Sequence, residues 1–569
     1  MAGRGNGAAD VGASGTPVTS VADILARRSL VALVPYARSG DLLDAPDGVA
    51  VAALDEDADL PLVAGRDEGA NDGRALLASW SKRPDRIFLF DEGRPALRRL
   101  LRAGVDVARP VCRNTLERLA GAAVDDTGNI MRDGFAAMER ARQIVHKLEA
   151  QLARVEERGH KKVARLENLV LRAFASLEDR GMPIDAQGWR ALVDAERAHA
   201  QSAREEIFHL AGDHIARDLF GTPEINLDAD GEVRALLERI SKRKLDDVAR
   251  ATLASLQLPV ADALLKYREA QKIVSTYGDT FLSRVDARDG RIHATFVPLG
   301  ASTGRVASRD PNLQNLPSDA RFHACLRAPE GRALVTADYA TCELRIVAEL
   351  AGDPVFLAAF ARGDDLHATV ATSMFGVKVT KTEHPELRQR AKAINFGLVY
   401  GMGAQGLATS LGVAVDEGER LLAQYFKTFP RVRDYLEDNV DVALKRGFAE
   451  TVLGRRLVFE RDALAAPNAR GELSRIAKNM PIQGTSADMT KLAMVRVHER
   501  LVDELGNGKL TASAGLVNSV HDELVVECDA ADGDFVAKAV QHEMSEAHRT
   551  LLKTVPPLVE VHVGPHWHH

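Results

Sequence analysis

The sequence is poor in the features that mark secreted, membrane-spanning and disulfide-stapled proteins. It has only four cysteines in 569 residues, and none forms a CxxC pair, so neither a zinc site nor a disulfide framework is indicated. No apolar run reaches the ~18 residues that a membrane-spanning helix needs. Residues 1–28 are rich in Gly, Ala and Ser and contain no apolar signal core, which predicts a disordered tail. These absences predict a protein of a reducing compartment, the cytoplasm, with no membrane partner.

Positive charge is not in excess either. Lys and Arg number 74 against 81 Asp and Glu, for a formal net charge of −7. Mild net acidity does not argue for a nucleic-acid partner, but it leaves room for a local basic groove. The length favours several domains over a single core, and no internal repeat is visible.

The first part of the chain has an alternating α/β pattern. The runs "LVALV", "GVAVAAL" and "RIFLF" are typical of strands, and "RPALRRLLRAG" after them is typical of a helix. From Met131 to Leu177 the pattern is helical and highly charged, and a solvated long helix is favoured over a coiled coil because the apolar heptad is not sustained. After "RGMPID" interrupts it, the helical pattern resumes.

Two acidic residues stand where buried strands end. In "GRALVTADYATCELRIVAEL" (residues 331–350) a buried strand runs to Asp338 and a helix follows. In "VNSVHDELVVECD" (residues 517–529) two apolar runs meet at His521-Asp522-Glu523. Each aspartate alone also suits a commoner role, Asp338 as a helix N-cap and Asp522 as a turn residue. Held together, they could bind one or two Mg²⁺ ions for phosphoryl transfer, since Mg²⁺ prefers carboxylate oxygens completed by phosphates and water.

A third segment supplies positive charge. "ELRQRAKAINFGLVYG" (residues 386–401) is predicted to be helical up to its glycines, which puts Arg388, Lys392 and Phe396 on one face, with Tyr400 one turn further. Arg suits a bidentate phosphate contact and Lys a point contact, while the aromatic ring could cover a base or sugar. A surface helix with an aromatic at its buried end is the commoner explanation, and only the accompanying carboxylates favour a nucleotide site.

These three segments resemble the three signature motifs of the family A DNA polymerases, the DNA polymerase I family. "DYATCELR" is similar to the first motif, usually close to DYSQIELR, "RQRAKAINFGLVYG" to the second and "VHDELVVE" to the third. Further segments resemble the family's primer-contacting segment ("ASTGRVASRDPNLQNLP"), its minor-groove helix ("KNMPIQGTSADMTKLAM") and its thumb ("LLKYREAQKIVSTY"). The resemblance runs from about Leu166 to the C-terminus, and several long motifs in the right order make chance similarity very improbable.

The resemblance implies a right-hand polymerase that combines α/β and α+β domains. The N-terminal unit would be a degenerate RNase H-like 3′–5′ exonuclease domain, and, as in a Klenow-like fragment, no 5′-nuclease domain is expected before it. The expected boundaries are residues 29–165 for the exonuclease-like domain, 166–290 for the start of the palm and the thumb, 291–350 for the palm with the first motif, 351–478 for the fingers and 479–569 for the palm with the third motif.

The resemblance also implies a role for each matching residue. Asp338 and Asp522, with the Tyr339 carbonyl, would hold two Mg²⁺ ions, for which Mn²⁺ can substitute. The expected catalytic residues are Asp338, Asp522, Lys392 and Glu523. Of these, Glu523 would orient the primer end. The positions that match the nucleotide site are Arg388, Lys392, His367, Phe396, Tyr400 and the steric gate Glu343. The positions that match contacts to the primer-template duplex are Arg305, Asn312, Gln314, Arg475, Asn479, Gln483 and His521.

The implied reaction is attack by a primer 3′-OH on the α-phosphate of a bound deoxynucleoside triphosphate, with release of pyrophosphate. Its partners would be primer-template DNA and deoxynucleoside triphosphates, and a monomer is expected. Ala340, Thr341 and Cys342 depart from the usual Ser-Gln-Ile of the first motif, but they replace no charge. We therefore expect catalysis to be kept, and fidelity or substrate tolerance to differ.

Three other functions compete with this one. A single-subunit RNA polymerase shares the palm, but Glu343 and Phe396 speak against it because a ribonucleotide enzyme must accommodate the 2′-OH. A catalytically silent DNA-binding protein would not need the full set of metal and phosphate residues. A bifunctional polymerase would proofread through an active 3′–5′ exonuclease site.

The residues of the N-terminal unit predict no proofreading. The resemblance places an Asp-x-Glu at the end of the first exonuclease strand, yet "SLVALV" runs into "PYA" without a carboxylate. The acidic "LDEDAD" (residues 54–59) is interpreted as a solvated loop, and Asp91 as a relic of the second exonuclease motif. The third motif needs a Tyr, but none occurs between Tyr36 and Tyr267. One surviving acid cannot hold two metal ions.

Overall fold

The computed structural model describes most of the chain. The described residues are 30–36, 48–52, 57–61, 77–79, 81, 83, 86–122, 134–221, 223–317, 319–399, 401–465, 469–511 and 513–568. The tail predicted over residues 1–28 lies outside them. Within these ranges, no helix combines the length and the apolar character needed to cross a membrane.

The N-terminal unit is a five-stranded mixed sheet with helices on both faces, as the alternating pattern predicts. Its elements are β1 (Leu30–Tyr36), β2 (Gly48–Ala52), β3 (Asp57–Pro61), β4 (Ile87–Phe90), α1 (Gly93–Arg102), β5 (Pro110–Cys112), α2 (Arg113–Leu119) and α3 (Gly134–Glu157). The strand order is β3-β2-β1-β4-β5, and β1 pairs antiparallel with β2 and parallel with β4. Alternate residues of β1 point to opposite faces, so Leu33 packs with α1 and Ala32 with α3.

Two interpretations of this region are wrong. Part of the acidic "LDEDAD" segment is not a loop, because Asp57–Pro61 forms β3, an edge strand that pairs with β2. Charged residues are common on edge strands, so the acidic composition of this segment did not indicate a strand. The single solvated helix is in fact two helices, α3 and α4 (Lys161–Arg180), separated at Gly159, whose φ is +74°. Most of α4 is buried, because it packs against both the N-terminal sheet and the main core.

The chain then forms a helical arm with an apolar core of its own. The elements of this stretch are β6 (Met182–Pro183), α5 (Ala186–Ala211), a 3₁₀ helix (Gly212–His214), α6 (Asp230–Ser241), α7 (Arg250–Leu256), α8 (Pro259–Tyr277) and α9 (Asp279–Leu282). The long helices α5 and α8 pack along each other. Trp189 on α5 is fully buried, stacks on Phe281 and donates its indole N–H to the Tyr277 carbonyl over 2.8 Å, which ties the arm to the main core.

A largely helical region surrounds one buried strand, β10. The elements of this region are β7 (Arg291–Ile292), β8 (Thr295–Val297), β9 (Ala307–Arg309), α10 (Ala320–Cys325), β10 (Arg332–Tyr339), α11 (Cys342–Ala351), α12 (Pro354–Arg362), α13 (Leu366–Phe375), α14 (Pro385–Val399), α15 (Ala404–Leu411), α16 (Val415–Thr428), α17 (Pro430–Arg446), β11 (Phe448–Glu450), β12 (Arg456–Val458), α18 (Arg461–Ala465) and α19 (Arg470–Gly506). Helix α19 is 37 residues long and largely buried over its central part.

The central sheet is antiparallel and contains β10. Its other strands are β13 (Gly515–Val520), β14 (Glu523–Asp529) and β15 (Val559–Gly564), with a 3₁₀ helix (Ala530–Asp532) and α20 (Gly533–Leu551) between the last two. The order is β13-β14-β10-β15. Residues of β10, β13 and β14 are almost all buried, and the main core joins this sheet to α4, α11 and α19. The buried sheet therefore fixes the backbone at the strand ends and, with it, the positions of the side chains there.

Candidate active site

A cavity of about 320 Å³ opens where the central sheet meets the helices α11, α14 and α19. It brings together residues from all three motifs, which lie far apart in the sequence. Eight of the residues that the sequence predicts for the site line the cavity: Arg305, Gln314, Asp338, Tyr339, Glu343, Phe396, His521 and Asp522. The two predicted metal-binding carboxylates and Phe396, from the helix predicted to bind the nucleotide, thus line the same cavity.

The two aspartates are brought together by the pairing of β10 with β14. Asp338 is the penultimate residue of β10, and Asp522 stands in the two-residue turn between β13 and β14. Asp338 pairs with Glu523 across the ladder, so the turn places Asp522 beside the end of β10. In that turn His521 adopts φ = +53°, a left-handed conformation that costs a non-glycine residue free energy and is concentrated at functional sites.

The electrostatics of this pair favour a bound cation. Burial, and after it the negative charge of Asp338, raises the pKa of Asp522 to about 7. Carboxylate oxygens are the donors that Mg²⁺ prefers, and a divalent cation between the two side chains would offset their repulsion. Tyr339 can contribute only its backbone, because its buried hydroxyl donates to the Met544 carbonyl over 2.7 Å. The donor set therefore fits the predicted divalent metal ions.

Glu523 lies next to this pair but has a different partner. Its buried carboxylate accepts a hydrogen bond from the Trp567 indole N–H, and it is not among the described residues that line the cavity. Trp567 in turn stacks on His323, with ring centroids 4.6 Å apart. These contacts hold the C-terminal segment against β14, and the expected action of Glu523 on the primer end stays a prediction.

The predicted steric gate, Glu343, lies in the first turn of α11 and is buried. It forms an ion pair with Arg305, which is predicted to contact the primer. Burial raises the pKa of Glu343, and the charge of Arg305 opposes that rise. The predicted sugar site and the predicted primer site are thus joined by one pair of side chains.

The residues that depart from the usual first motif shape the junction between β10 and α11. Thr341 has φ = +53° directly before the helix, which is unusual for a β-branched residue. Cys342 Sγ lies 3.4 Å from Ser486 Oγ on α19. The replacements therefore link α11 to α19 and add no charge beside the two aspartates.

Helix α14 carries the predicted phosphate-binding face. Arg388 Nε donates to Asp365 over 2.8 Å, and the exposed Lys392 ammonium lies 6.0 Å from the Phe396 ring centroid. The His367 ring packs against Phe396 at 5.7 Å between centroids. Four of the predicted nucleotide residues therefore lie on or beside α14, and of these Phe396 lines the cavity. Tyr400 lies outside the described residues.

His367 is held as a neutral imidazole. It is buried, and this burial lowers its pKa to about 4. Its Nδ1 lies 3.0 Å from the Asn395 side-chain nitrogen Nδ2 on α14. At neutral pH the ring can therefore offer a hydrogen bond to an anion but no full positive charge.

Three of the predicted duplex contacts, Arg305, Gln314 and His521, line the cavity, and the other four do not. On α19, Arg475, Asn479 and Gln483 are spaced by four residues and share one face, from exposed Arg475 to buried Gln483. In the segment before α10, Gln314 donates to the Ser519 carbonyl of β13 over 3.1 Å. In the same segment, Asn312 is exposed and accepts a hydrogen bond from the Gln314 backbone N–H over 2.9 Å.

Comparison with known proteins decides the family. The model of "DNA polymerase family A" matches residues 196–569, more than half of the chain. The chain belongs to DNA polymerase family A.

Family A relatives and a solved structure are similar over most of the chain. It is 36% identical over 414 residues to "DNA polymerase I, thermostable" of Thermus thermophilus, covering 71% of this chain and 48% of that protein. It is 35% identical over 406 residues to the Thermus aquaticus protein of the same name, covering 69% and 46%. The chain thus spans about half the length of these curated relatives. The solved "POL domain of Pol1 from M. smegmatis complex with DNA primer-template and dNTP" superposes with a TM-score of 0.80 at 29% identity, covering 94% of this chain and 95% of that one.

In this family A chain, sequence reasoning missed Asp365. Its side chain caps α13 by accepting from the Ala368 backbone N–H over 3.1 Å, and it also pairs with Arg388. Asp is a favoured N-cap, so the acid two residues before His367 in "DDLH" was a usable signal for the cap. Nothing in the sequence around Asp365 indicated its ion pair with Arg388, which lies 23 residues further along the chain.

Sequence reasoning also missed a buried ion network that joins α4 to α19 in this family A chain. Arg455 donates to Asp488 over 2.6 and 2.9 Å, and Glu167 on α4 accepts from both Arg455 and Lys491. All four residues are at most 3% exposed. A Cβ atom at Gly304 would lie 2.5 Å from Arg455 Nε, so the predicted primer-contacting segment rests directly on this network.

Proposed function

We propose that the chain is a template-directed DNA polymerase that adds deoxynucleotides to a primer 3′ end by two-metal nucleotidyl transfer. The observation that carries the proposal is the convergence of Asp338 and Asp522 with Glu343 and Phe396 in one cavity. Family A enzymes are metal-dependent, and the carboxylate donors favour Mg²⁺ as the ion. The solved relative is a complex with DNA primer-template and dNTP, which supports the same partners for this chain.

The side chains would act at successive positions along the nucleotide. Phe396 would pack on the sugar and base, Glu343 would fill the space of a ribose 2′-OH, and Arg388 with Lys392 would bind the triphosphate. Metal ions bound by the two aspartates would offset the negative charge that develops on the attacking and leaving oxygens. The primer 3′-OH would lose its proton to water, and its oxygen would bond to the α-phosphorus while the bond from that phosphorus to the pyrophosphate oxygen breaks and pyrophosphate leaves.

The polymerase modules are proposed as the resemblance implies them. The helical arm of α5 to α9 is the thumb, and residues 351–478 form the fingers. Residues 291–350 and 479–569, which contain the central sheet, most of α19 and α20, form the palm. A monomer in the cytoplasm remains the proposed state, and four buried cysteines without a disulfide support a reducing compartment.

The N-terminal unit is proposed to be a degenerate RNase H-like exonuclease domain that does not proofread. Its central strand β1 contains no carboxylate. The remaining acid, Asp91, is held by two arginines: Arg140 donates to both of its oxygens over 2.7 and 2.9 Å, and Arg113 pairs with it as well. Two cations already neutralise this carboxylate, so it has little affinity left for a metal ion. The alternative, a bifunctional polymerase, is disfavoured for that reason.

Primer extension tests the polymerase activity. The purified protein is given a primer-template duplex and either deoxy- or ribonucleoside triphosphates, with and without Mg²⁺. We expect extension that needs Mg²⁺ and deoxynucleotides. Equal use of ribonucleotides would favour an RNA polymerase, and duplex binding without extension would favour a catalytically silent DNA-binding protein.

A mismatched, end-labelled primer tests the absence of proofreading. It is incubated with the protein and Mg²⁺ or Mn²⁺ but no nucleotides, and we expect its length to stay constant. Stepwise 3′ shortening that persists in the Asp522→Ala variant would show that the N-terminal unit contains an active exonuclease.

A further inference from the structure

The two oxygens of the Asp365 carboxylate make different contacts. Oδ1 accepts from the Ala368 backbone N–H over 3.1 Å and so caps the N-terminus of α13. Oδ2 accepts from Arg388 Nε on the neighbouring helix α14 over 2.8 Å. One side chain therefore both ends the loop before α13 and holds the arginine that is proposed to bind triphosphate.

The contact at Nε restrains Arg388 without consuming its other donors. Within the part of the chain that the structure describes, Nη1 and Nη2 of Arg388 make no hydrogen bond. Both side chains are partly shielded from solvent, with exposed fractions of 23% for Arg388 and 26% for Asp365. Because the guanidinium is planar, fixing Nε also fixes the directions of the terminal N–H groups. Those groups stay available for an anion.

A second contact joins the same two helices. On α13, His367 Nδ1 lies 3.0 Å from Asn395 Nδ2 of α14. The pairs Asp365–Arg388 and His367–Asn395 thus connect the two helices that carry the proposed triphosphate ligands.

The negative charge of Asp365 beside a triphosphate site would weaken triphosphate binding by repulsion, unless Asp365 orders a cation there.

We propose that Asp365 is a positioning residue for the incoming nucleotide, which holds Arg388 so that its terminal nitrogens meet the triphosphate. The inference rests on the proposed polymerase function and adds to it a residue that does not itself touch the substrate. Its benefit comes from preorganisation, because an arginine already held in its binding conformation loses less side-chain entropy when the phosphates arrive.

The substitution Asp365→Asn separates the two contacts of this carboxylate. The amide oxygen can still cap α13, but the amide nitrogen in place of Oδ2 cannot accept from Arg388. The matched control is Asp353→Asn: Asp353 caps α12 in the same way, accepting from Val355 and Phe356, and makes no ion pair within the described residues.

We expect Asp365→Asn to raise KM for deoxynucleotides ~10-fold, while kcat and KM for the duplex change less than about twofold. The Asp353→Asn control should match the parent in all three constants. In a double-mutant cycle, Asp365→Asn should add little to the loss caused by Arg388→Ala, because both remove the same unit. A purely structural cap would show neither the KM-specific loss nor this coupling.

Binding of inorganic triphosphate to the free protein, measured by calorimetry, gives a readout that needs no catalysis. Asp365→Asn should weaken it by a similar factor. Unchanged or tighter binding in this variant, or an unchanged or lower KM, would overturn the inference, because Asp365 would then be a mere cap or a competitor for Arg388. A parent protein that binds triphosphate but extends no primer would instead count against the proposed function.

Discussion

The charge of Asp522, more than its size, is what the proposed metal site requires. Asp522→Asn keeps the volume of the side chain but removes one of the two strand-end carboxylates that line the cavity. We expect single-turnover extension to fall by at least ~10³-fold, since a metal-bound charge contributes several kcal/mol of transition-state stabilisation. Duplex binding, measured by fluorescence anisotropy, should persist. Asp529→Asn, at the far end of β14, is the matched control and should extend normally, whereas substantial extension by Asp522→Asn would refute the assignment.

Glu343 permits a separation of volume from charge. Glu343→Ala empties the proposed 2′-OH space, and we expect ribonucleotide use relative to deoxynucleotide use to rise ~10–100-fold. Glu343→Gln keeps the volume and removes only the charge that pairs with Arg305. Competition assays with both sugars should show the Gln variant discriminating like the parent. Equal discrimination by the Ala variant and the parent would mean that the sugar pocket lies elsewhere.

A substitution of Phe396 tests the second residue that is proposed to contact the sugar of the incoming nucleotide. The family resemblance implies that Phe396→Tyr accepts dideoxynucleotides better than the parent does. Chain-termination assays with a mixture of deoxy- and dideoxynucleotides measure this ratio directly. An unchanged ratio would place Phe396 away from the 3′ position of the incoming sugar.

At Gly484, helix α19 lies against Thr451 and against Thr303 of the predicted primer-contacting segment. A Cβ atom there would lie 2.5 Å from Thr451 Cγ2 and 3.1 Å from the Thr303 carbonyl oxygen. Gly484→Ala must push these segments apart, and we expect it to cost ~1–3 kcal/mol in the free energy of unfolding and to slow extension. Gly471→Ala, in the same helix with no neighbour within 4 Å, should instead stabilise by ~0.5–1 kcal/mol. Similar urea-unfolding curves for the two variants would contradict the close packing.

Elements with a strong apolar pattern were predictable, and those that depend on their neighbours were not. The strand that ends near Asp338 and the helix of the second motif follow from the spacing of their own residues. Strand β3 was missed because edge pairing, rather than an apolar run, makes it a strand. The burial of α4 was missed because its charged residues, such as Glu167, find partners in segments far along the chain.

The N-terminal unit and the rest of the chain are joined through α4 and its buried charge. Glu167→Gln leaves Arg455 and Lys491 without the carboxylate that they share, and removing one partner of a buried ion network costs ~3–5 kcal/mol. We expect that loss in urea unfolding, together with slower extension, although Glu167 does not line the cavity. The control is Glu156→Gln, whose exposed pair with Lys161 should leave unfolding unchanged. A stable, fully active Glu167→Gln protein would contradict this role.

The sequence by itself indicated the candidate metal and nucleotide residues, and its resemblance to known motifs implied the family and the proposed chemistry. Those signals are local: each motif keeps its residues on one strand end or one helix face, where a fixed backbone period decides their direction. Asp338, Asp522 and the row from Arg388 to Phe396 could therefore be named before any fold was known.

Only the tertiary structure decided which of these side chains meet. It paired Glu343 with Arg305 and Asp365 with Arg388, and it buried the Glu167 network against the predicted primer-contacting segment. Each pair joins segments that are distant along the chain, so no spacing in the sequence encodes it. Such contacts depend on how the strands and helices pack, because a side chain a few ångströms long finds its partner only after the backbones that carry it have been brought together.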